Sequence, residues 1–147
     1  MLGKNYLGAR DDAKKRKKGV KFLRMAADDG HTDAQYEFAT WRFSIRADDE
    51  EGQKYLKYAA DAGHTHAAFD LGNRLYAQVD AGAVRYFQIA VEKSHGGAQN
   101  ALGWCHQHGI GVLPDLQNAF KLYKQAAKGD GKEPWTAWAQ LHLGECY

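Results

Sequence analysis

Four segments of this chain repeat one arrangement of bulk and smallness: Phe22-Leu23-x-Met25-Ala26-Ala27, Tyr55-Leu56-x-Tyr58-Ala59-Ala60, Tyr86-Phe87-x-Ile89-Ala90-Val91 and Leu122-Tyr123-x-Gln125-Ala126-Ala127, at intervals of 33, 31 and 36. Self-similarity at such a period marks stacked structural repeats rather than one irregular core. A small residue stands three places ahead of each segment, as Gly19, Gly52, Ala83 and Ala119. A second series runs between them: Ala34/Phe38-Ala39, Ala67/Leu71-Gly72, Ala98/Leu102-Gly103 and Ala139/Leu143-Gly144, with Leu2-Gly3 starting it. On a helix these columns put bulk and smallness on neighbouring stripes of one face, so an adjacent helix can approach closely along the small row.

The backbone preference is helical, because Ala loses least on entering a helix and β-branched residues suit strands; the chain has 23 Ala against five Val, three Ile and two Pro. Turns punctuate the pattern as Asp29-Gly30-His31, Ala62-Gly63-His64 and Lys93-Ser94-His95, where Gly just past a helix can take the left-handed conformation that ends it. Acids stand at helix starts, as Asp11-Asp12, Asp48-Asp49-Glu50-Glu51 and Asp115, suited to capping and to the positive end of the helix dipole. The spacing predicts A helices near 1–7, 32–46, 65–78, 96–108 and 134–147, and B helices near 12–28, 49–61, 81–94 and 115–128. The expected organisation of residues 1–147 is a single repeat array: a partial unit 1–29, units 30–62, 63–94 and 95–130, and a partial unit 131–147. Neither end carries a polar capping helix, so a piece of a longer protein, or ends covered in an assembly, is the expectation.

Several function classes are disfavoured. A net charge of +2 argues against a strongly basic nucleic-acid wrapper. No apolar run approaches a membrane helix, no secretory leader is visible, and a cytoplasmic location with no membrane partner is the expectation. Ser44 and Ser94 sit in no nucleophile elbow, and Gly109-x-Gly111 lacks the rest of a dinucleotide loop. No catalytic residue, no cofactor and no small-molecule substrate is expected. His64-x-His66 and His106-x-His108 point apart on a helix, and His142 with Cys146 makes only two ligands of one face, so no metal site is expected. Cys105 and Cys146 occupy equivalent places on successive A helices, too far apart for a bridge.

The run Ala98-x-x-x-Leu102-Gly103, Gly109-x-Gly111-Val112-x-x-Asp115, Ala119-Phe120-x-x-Tyr123-x-x-Ala126-Ala127-x-Gly129 resembles a Sel-one-like repeat, an α/α unit related to tetratricopeptide repeats. The resemblance covers essentially the whole chain, although only this unit has the complete Gly-x-Gly-Val-x-x-Asp loop. Where tetratricopeptide repeats place Trp, this chain has Gln35, Ala68, Gln99 and Gln140. The resemblance implies an all-α fold, a right-handed superhelical solenoid of helix-turn-helix units with A helices on the concave side, and a role as an adaptor without catalysis. Before the last A helix the pattern is stretched by Gly129-Asp130-Gly131-Lys132-Glu133-Pro134-Trp135, expected as a surface loop on which Trp135 is either displayed or packed on the previous helix.

The A-helix face opposite the packing columns reads Tyr36, Thr40, Phe43; then Phe69, Asn73, Tyr76; then Asn100, Trp104, Gln107; and finally Leu141 and Glu145. Rings interleaved with amides suit a groove for a peptide or protein partner, the rings as anchors and the amides reading an extended backbone. The competing reading is that these rings fill the seam between successive A helices. A regulatory or substrate-docking segment of a larger enzyme is a second functional reading. A third is nucleic-acid binding through Lys14-Lys15-Arg16-Lys17-Lys18, against which stands the fact that five consecutive residues circle a helix.

Overall fold

The computed structural model describes the backbone of residues 2–128 and 132–147 and the side chains of 12–128 and 132–147. Among these residues there are eight helices and no strand: α1 Leu2–Asp28, α2 Thr32–Ile45, α3 Glu50–Asp61, α4 Thr65–Ala77, α5 Ala83–Glu92, α6 Gly96–His108, α7 Leu116–Ala126 and α8 Pro134–Glu145. They gather into two compact units, Met1–Ala59 and Ala60–Tyr147.

Seven of the eight helices follow the expected A/B alternation; α1 does not. Two helices were expected over 1–7 and 12–28, whereas α1 is continuous from Leu2 to Asp28. The reason lies in what separates them elsewhere. Between Tyr6 and Ala13 stand no Pro and no Gly-x-Gly loop, only Leu7-Gly8-Ala9-Arg10-Asp11-Asp12, and one mid-helix Gly costs too little to end a helix. The side chains of Leu2, Tyr6 and Asp11, and the Gly129-Asp130-Gly131 part of the inserted loop, lie outside the described residues.

The stops are glycines where the chain turns left-handed, Gly30 at φ +91° and Gly63 at φ +89°; Ser94 does the same at φ +60°. Four of the starts, those of α3, α4, α6 and α7, are side-chain caps. Asp115 accepts from the Asn118 N–H at 3.0 Å and opens α7. Asp49, expected as a cap, accepts from Gly52 N–H at 2.7 Å while Arg42 holds it with Nε at 2.8 Å and Nη2 at 2.7 Å.

In the second unit the B-helix rings lie on glycines of the A helices. A Cβ built on Gly72 would stand 2.6 Å from the Phe87 ring, and one on Gly103 would stand 2.8 Å from the Tyr123 ring. Both glycines, both rings, Ala67, Ala83, Ala98 and Ala119 are buried. The Leu-Gly columns thus set how closely α4 meets α5 and α6 meets α7. The core they close contains Ala83, Val84, Phe87, Leu102, Cys105 and Leu122. In the first unit Phe38 and Tyr55 pack edge-on with centroids 4.8 Å apart. Gln35, which stands where the related repeats carry Trp, donates from Nε2 to the Ala27 carbonyl at 3.2 Å.

A polar contact also recurs from one B helix to the next. The Tyr55 hydroxyl donates to Asp28 at the end of α1, and the Tyr86 hydroxyl donates to Asp61 at the end of α3 at 2.8 Å. Sequence reasoning assigned these aspartates no such role, although each directly follows the small-residue column. The hydrogen bond to Asp28 raises the Tyr55 pKa, and burial followed by the Asp61 bond raises that of Tyr86.

A methyl group at Gly72 or Gly103 has to displace a fully packed ring. Gly72→Ala and Gly103→Ala should each lower unfolding free energy by about 1–3 kcal/mol in urea titrations. Gly19→Ala, on α1 with nothing within 4 Å of its Cβ position, should instead raise it by roughly 0.5–1 kcal/mol.

Candidate functional site

Four residues of the predicted face converge in the second unit. Asn73 and Tyr76 from α4, and Asn100 and Trp104 from α6, line one open cavity of about 300 Å³, completed by Phe87, Ala101, Trp138 and His142. Helical spacing explains the meeting, because positions two before, two after and five after the packing Leu lie on one side of each A helix. Trp104 Nε1 donates to the Tyr76 hydroxyl at 3.1 Å, tying α6 to α4 across the opening. The Trp104 ring also stacks on His108 with centroids 3.8 Å apart, and His108 Nδ1 meets the Trp104 carbonyl at 3.1 Å.

The remaining predicted residues have other work. Phe69 fills the seam: its ring lies 4.5 Å from His95 and 6.3 Å from Phe87, against buried Gly97. Gln107 accepts from the Tyr123 hydroxyl at 2.7 Å. Tyr36, Thr40 and Phe43 belong to the first unit. There Thr40 bonds back to the Glu37 carbonyl at 2.8 Å, Phe43 covers Gly52, and Tyr36 is half-buried. Trp135, expected on the inserted loop, stands in the first turn of α8 and packs on the preceding A helix. Its indole lies against Gly96, with its ring 5.4 Å from His95.

Four lining residues, Phe87, Ala101, Trp138 and His142, were not foreseen, and two of them shape the site most. Trp138, 57% exposed, stands five before Leu143, which is the same side of α8 as Leu141 and Glu145, so counting five back along the column would have found it. His142 is 8% exposed. Its Nδ1 faces Asn100 Oδ1 at 3.2 Å, and its ring lies 5.0 Å from Trp104 and 5.1 Å from Tyr123. Burial pushes its pKa down, against a smaller opposing pull from Glu145. In the neutral ring Nδ1 carries the proton and donates to the Asn100 oxygen, a tautomer assigned from the partner atom. That leaves the Asn100 NH₂ as a donor for a ligand, and Asn73 is exposed at the mouth.

Two of the three turn histidines act as side-chain caps. His64 Nδ1 accepts from the Ala67 N–H and His95 Nδ1 from the Ala98 N–H, each at 3.1 Å, opening α4 and α6. His31 begins α2 without such a bond. His95 is wedged among Phe69, Trp135 and His66, and burial, with His66 adding, lowers its pKa. His106 is half-buried with Nε2 3.1 Å from Asn118 Nδ2. Both cysteines are free thiols, and burial pushes that of Cys105 up to about 11. Among the described residues no three His, Cys, Asp or Glu side chains gather as metal ligands would.

The ring-over-glycine hairpins, the capped turns and the groove define a helical repeat protein. The Sel1 repeat model matches residues 1–31, 33–64, 65–95 and 97–131, and the chain belongs to the Sel1 repeat family. Proteins of this family are generally scaffolds for protein–protein interaction. Among solved structures, the chain is similar to a protective antigen of uropathogenic Escherichia coli strains that displays an SLR fold. The identity is 27% and the TM-score 0.75, over 88% of this chain and 28% of that one. It is also similar to a Sel1 repeat protein from Oxalobacter formigenes, 26% identical with TM-score 0.74, over 87% of this chain and 98% of that one. The chain thus spans 28% of the length of the antigen. A search of curated proteins finds no match. The all-α solenoid class expected from the repeat pattern is the fold these relatives share with it.

Because the fold holds His95 and His142 neutral, the unfolded chain takes up their protons first. Stability is then full above the ordinary histidine pKa of 6.5 and declines as pH falls through it toward the lower folded values. Thermal unfolding followed by circular dichroism should show the midpoint dropping between about pH 7.5 and 5. His95→Asn, which keeps a capping acceptor that does not titrate, should make that drop shallower.

Proposed function

We propose that this chain is a non-catalytic scaffold that holds an extended peptide segment of a partner protein in the groove between α4, α6 and α8. The observation that supports the reading is the convergence of Asn73, Tyr76, Asn100 and Trp104 into one cavity that Trp138 extends toward solvent. Tyr76, at 36% exposed, and Trp138 offer rigid apolar surface, which is what anchors a peptide at low entropic cost. Asn73 and the free donor of Asn100 supply hydrogen bonds to a backbone, which needs both donors and acceptors. Tyr36, Thr40 and Phe43 continue the same column in the first unit, and we assign them a supporting role in contacts with a larger partner; Phe69 and Gln107 support the groove from behind.

Random peptides suffice as the probe. Those selected from a displayed library on the intact chain should lose about 2 kcal/mol or more of affinity on Trp138→Ala. Substitution of exposed Tyr58, in the first unit, should leave that affinity unchanged. Selected peptides that bind the Trp138→Ala and Asn73→Asp proteins as tightly as the parent would remove the groove from consideration.

A further inference from the structure

Residues 13–27 contain seven cations and no acid, while the whole chain carries a net charge of +2, so the rest of the molecule is net negative. Arg24 is engaged with Glu51 at 2.8 Å. Lys14, Lys15, Arg16, Lys17, Lys18 and Lys21 are all exposed, and none forms an ion pair among the described residues. Although the run circles the axis, α1 is not symmetric. Ala27 is buried and Val20, Leu23 and Ala26 are half-buried, which fixes an inner side against α2. On the outer side Lys14, Lys18, Phe22 and Met25 follow one another at helical spacing, with Lys21 beside them. Phe22 is 67% exposed and Met25 53%, so two large apolar side chains stand in the same stripe as the cations.

We propose that this outer face of α1 docks the protein onto an anionic phospholipid surface. Charge complementarity supplies the attraction, since clusters of four to eight Lys or Arg on a helix are drawn to acidic headgroups. The apolar pair discriminates among anionic partners: Phe22 and Met25 can enter the headgroup boundary while the lysines remain at its surface. A duplex offers such side chains no comparable environment. Five lysines against one arginine in the run also suit diffuse headgroup charge better than bidentate reading of bases or phosphates. No helix among the described residues is long and apolar enough to cross a membrane, so the contact is peripheral.

The full chain should co-sediment with phosphatidylcholine vesicles that contain roughly 30% phosphatidylserine and not with phosphatidylcholine alone, and added salt should weaken the association. Lys14→Gln/Lys18→Gln should reduce partitioning by about 25-fold. Phe22→Ser/Met25→Ser, at unchanged charge, should reduce it several-fold. Circular dichroism checks that the variants fold; these exposed positions leave the core untouched. The proposal is overturned if anionic vesicles fail to retain the protein at low salt, or if neutral vesicles retain it equally. It is also overturned if duplex DNA or RNA binds more tightly than the vesicles and Phe22→Ser/Met25→Ser leaves that binding intact, because the face would then belong to nucleic acid.

Discussion

A ring lying directly on a glycine is the contact that the second unit depends on. Phe87 over Gly72 and Tyr123 over Gly103 bring paired helices closer than any β-carbon would allow, and dispersion between such closely fitted surfaces is large in sum. The same rings look both ways. Phe87 reaches past the glycine to form part of the groove wall, and Tyr123 extends to Gln107 and to the neighbourhood of His142. Phe87 therefore both closes a hairpin and shapes the cavity wall.

The architecture was legible because its determinants are written as columns. Small residues in register specify hairpins, and Gly30, Gly63, Asp49 and Asp115 mark ends whose geometry follows from backbone chemistry. The first helix escaped this logic because homology of pattern is not a chain break. Leu2-Gly3 continues the A series, yet nothing between it and Ala13 forces the backbone to turn.

The face was legible only in part, for a different reason. A column says which side of its own helix a residue occupies and says nothing about what stands opposite. Phe69 and Trp104 hold corresponding sides of neighbouring A helices, but Phe69 meets a bare glycine, Gly97, and is drawn into the seam, while Trp104 meets the Tyr76 hydroxyl and stays at the opening. His142 was read for its partnership with Cys146 along α8. Its actual partner, Asn100, lies 42 positions earlier in the chain and could not be inferred from local spacing.

The bond from a B-helix tyrosine to the aspartate that ends the previous B helix has an evolutionary corollary. The stretch that carries Tyr55 also carries Asp61, so one unit brings a donor for its predecessor and an acceptor for its successor. A tandem duplication of that stretch would bring its own joints at both borders, and the array could lengthen without new contacts being invented. The next border differs, since Leu122 occupies the tyrosine's column and has no hydroxyl to offer. Growth by copying is thus chemically easiest in the earlier part of the chain, where donor and acceptor recur together.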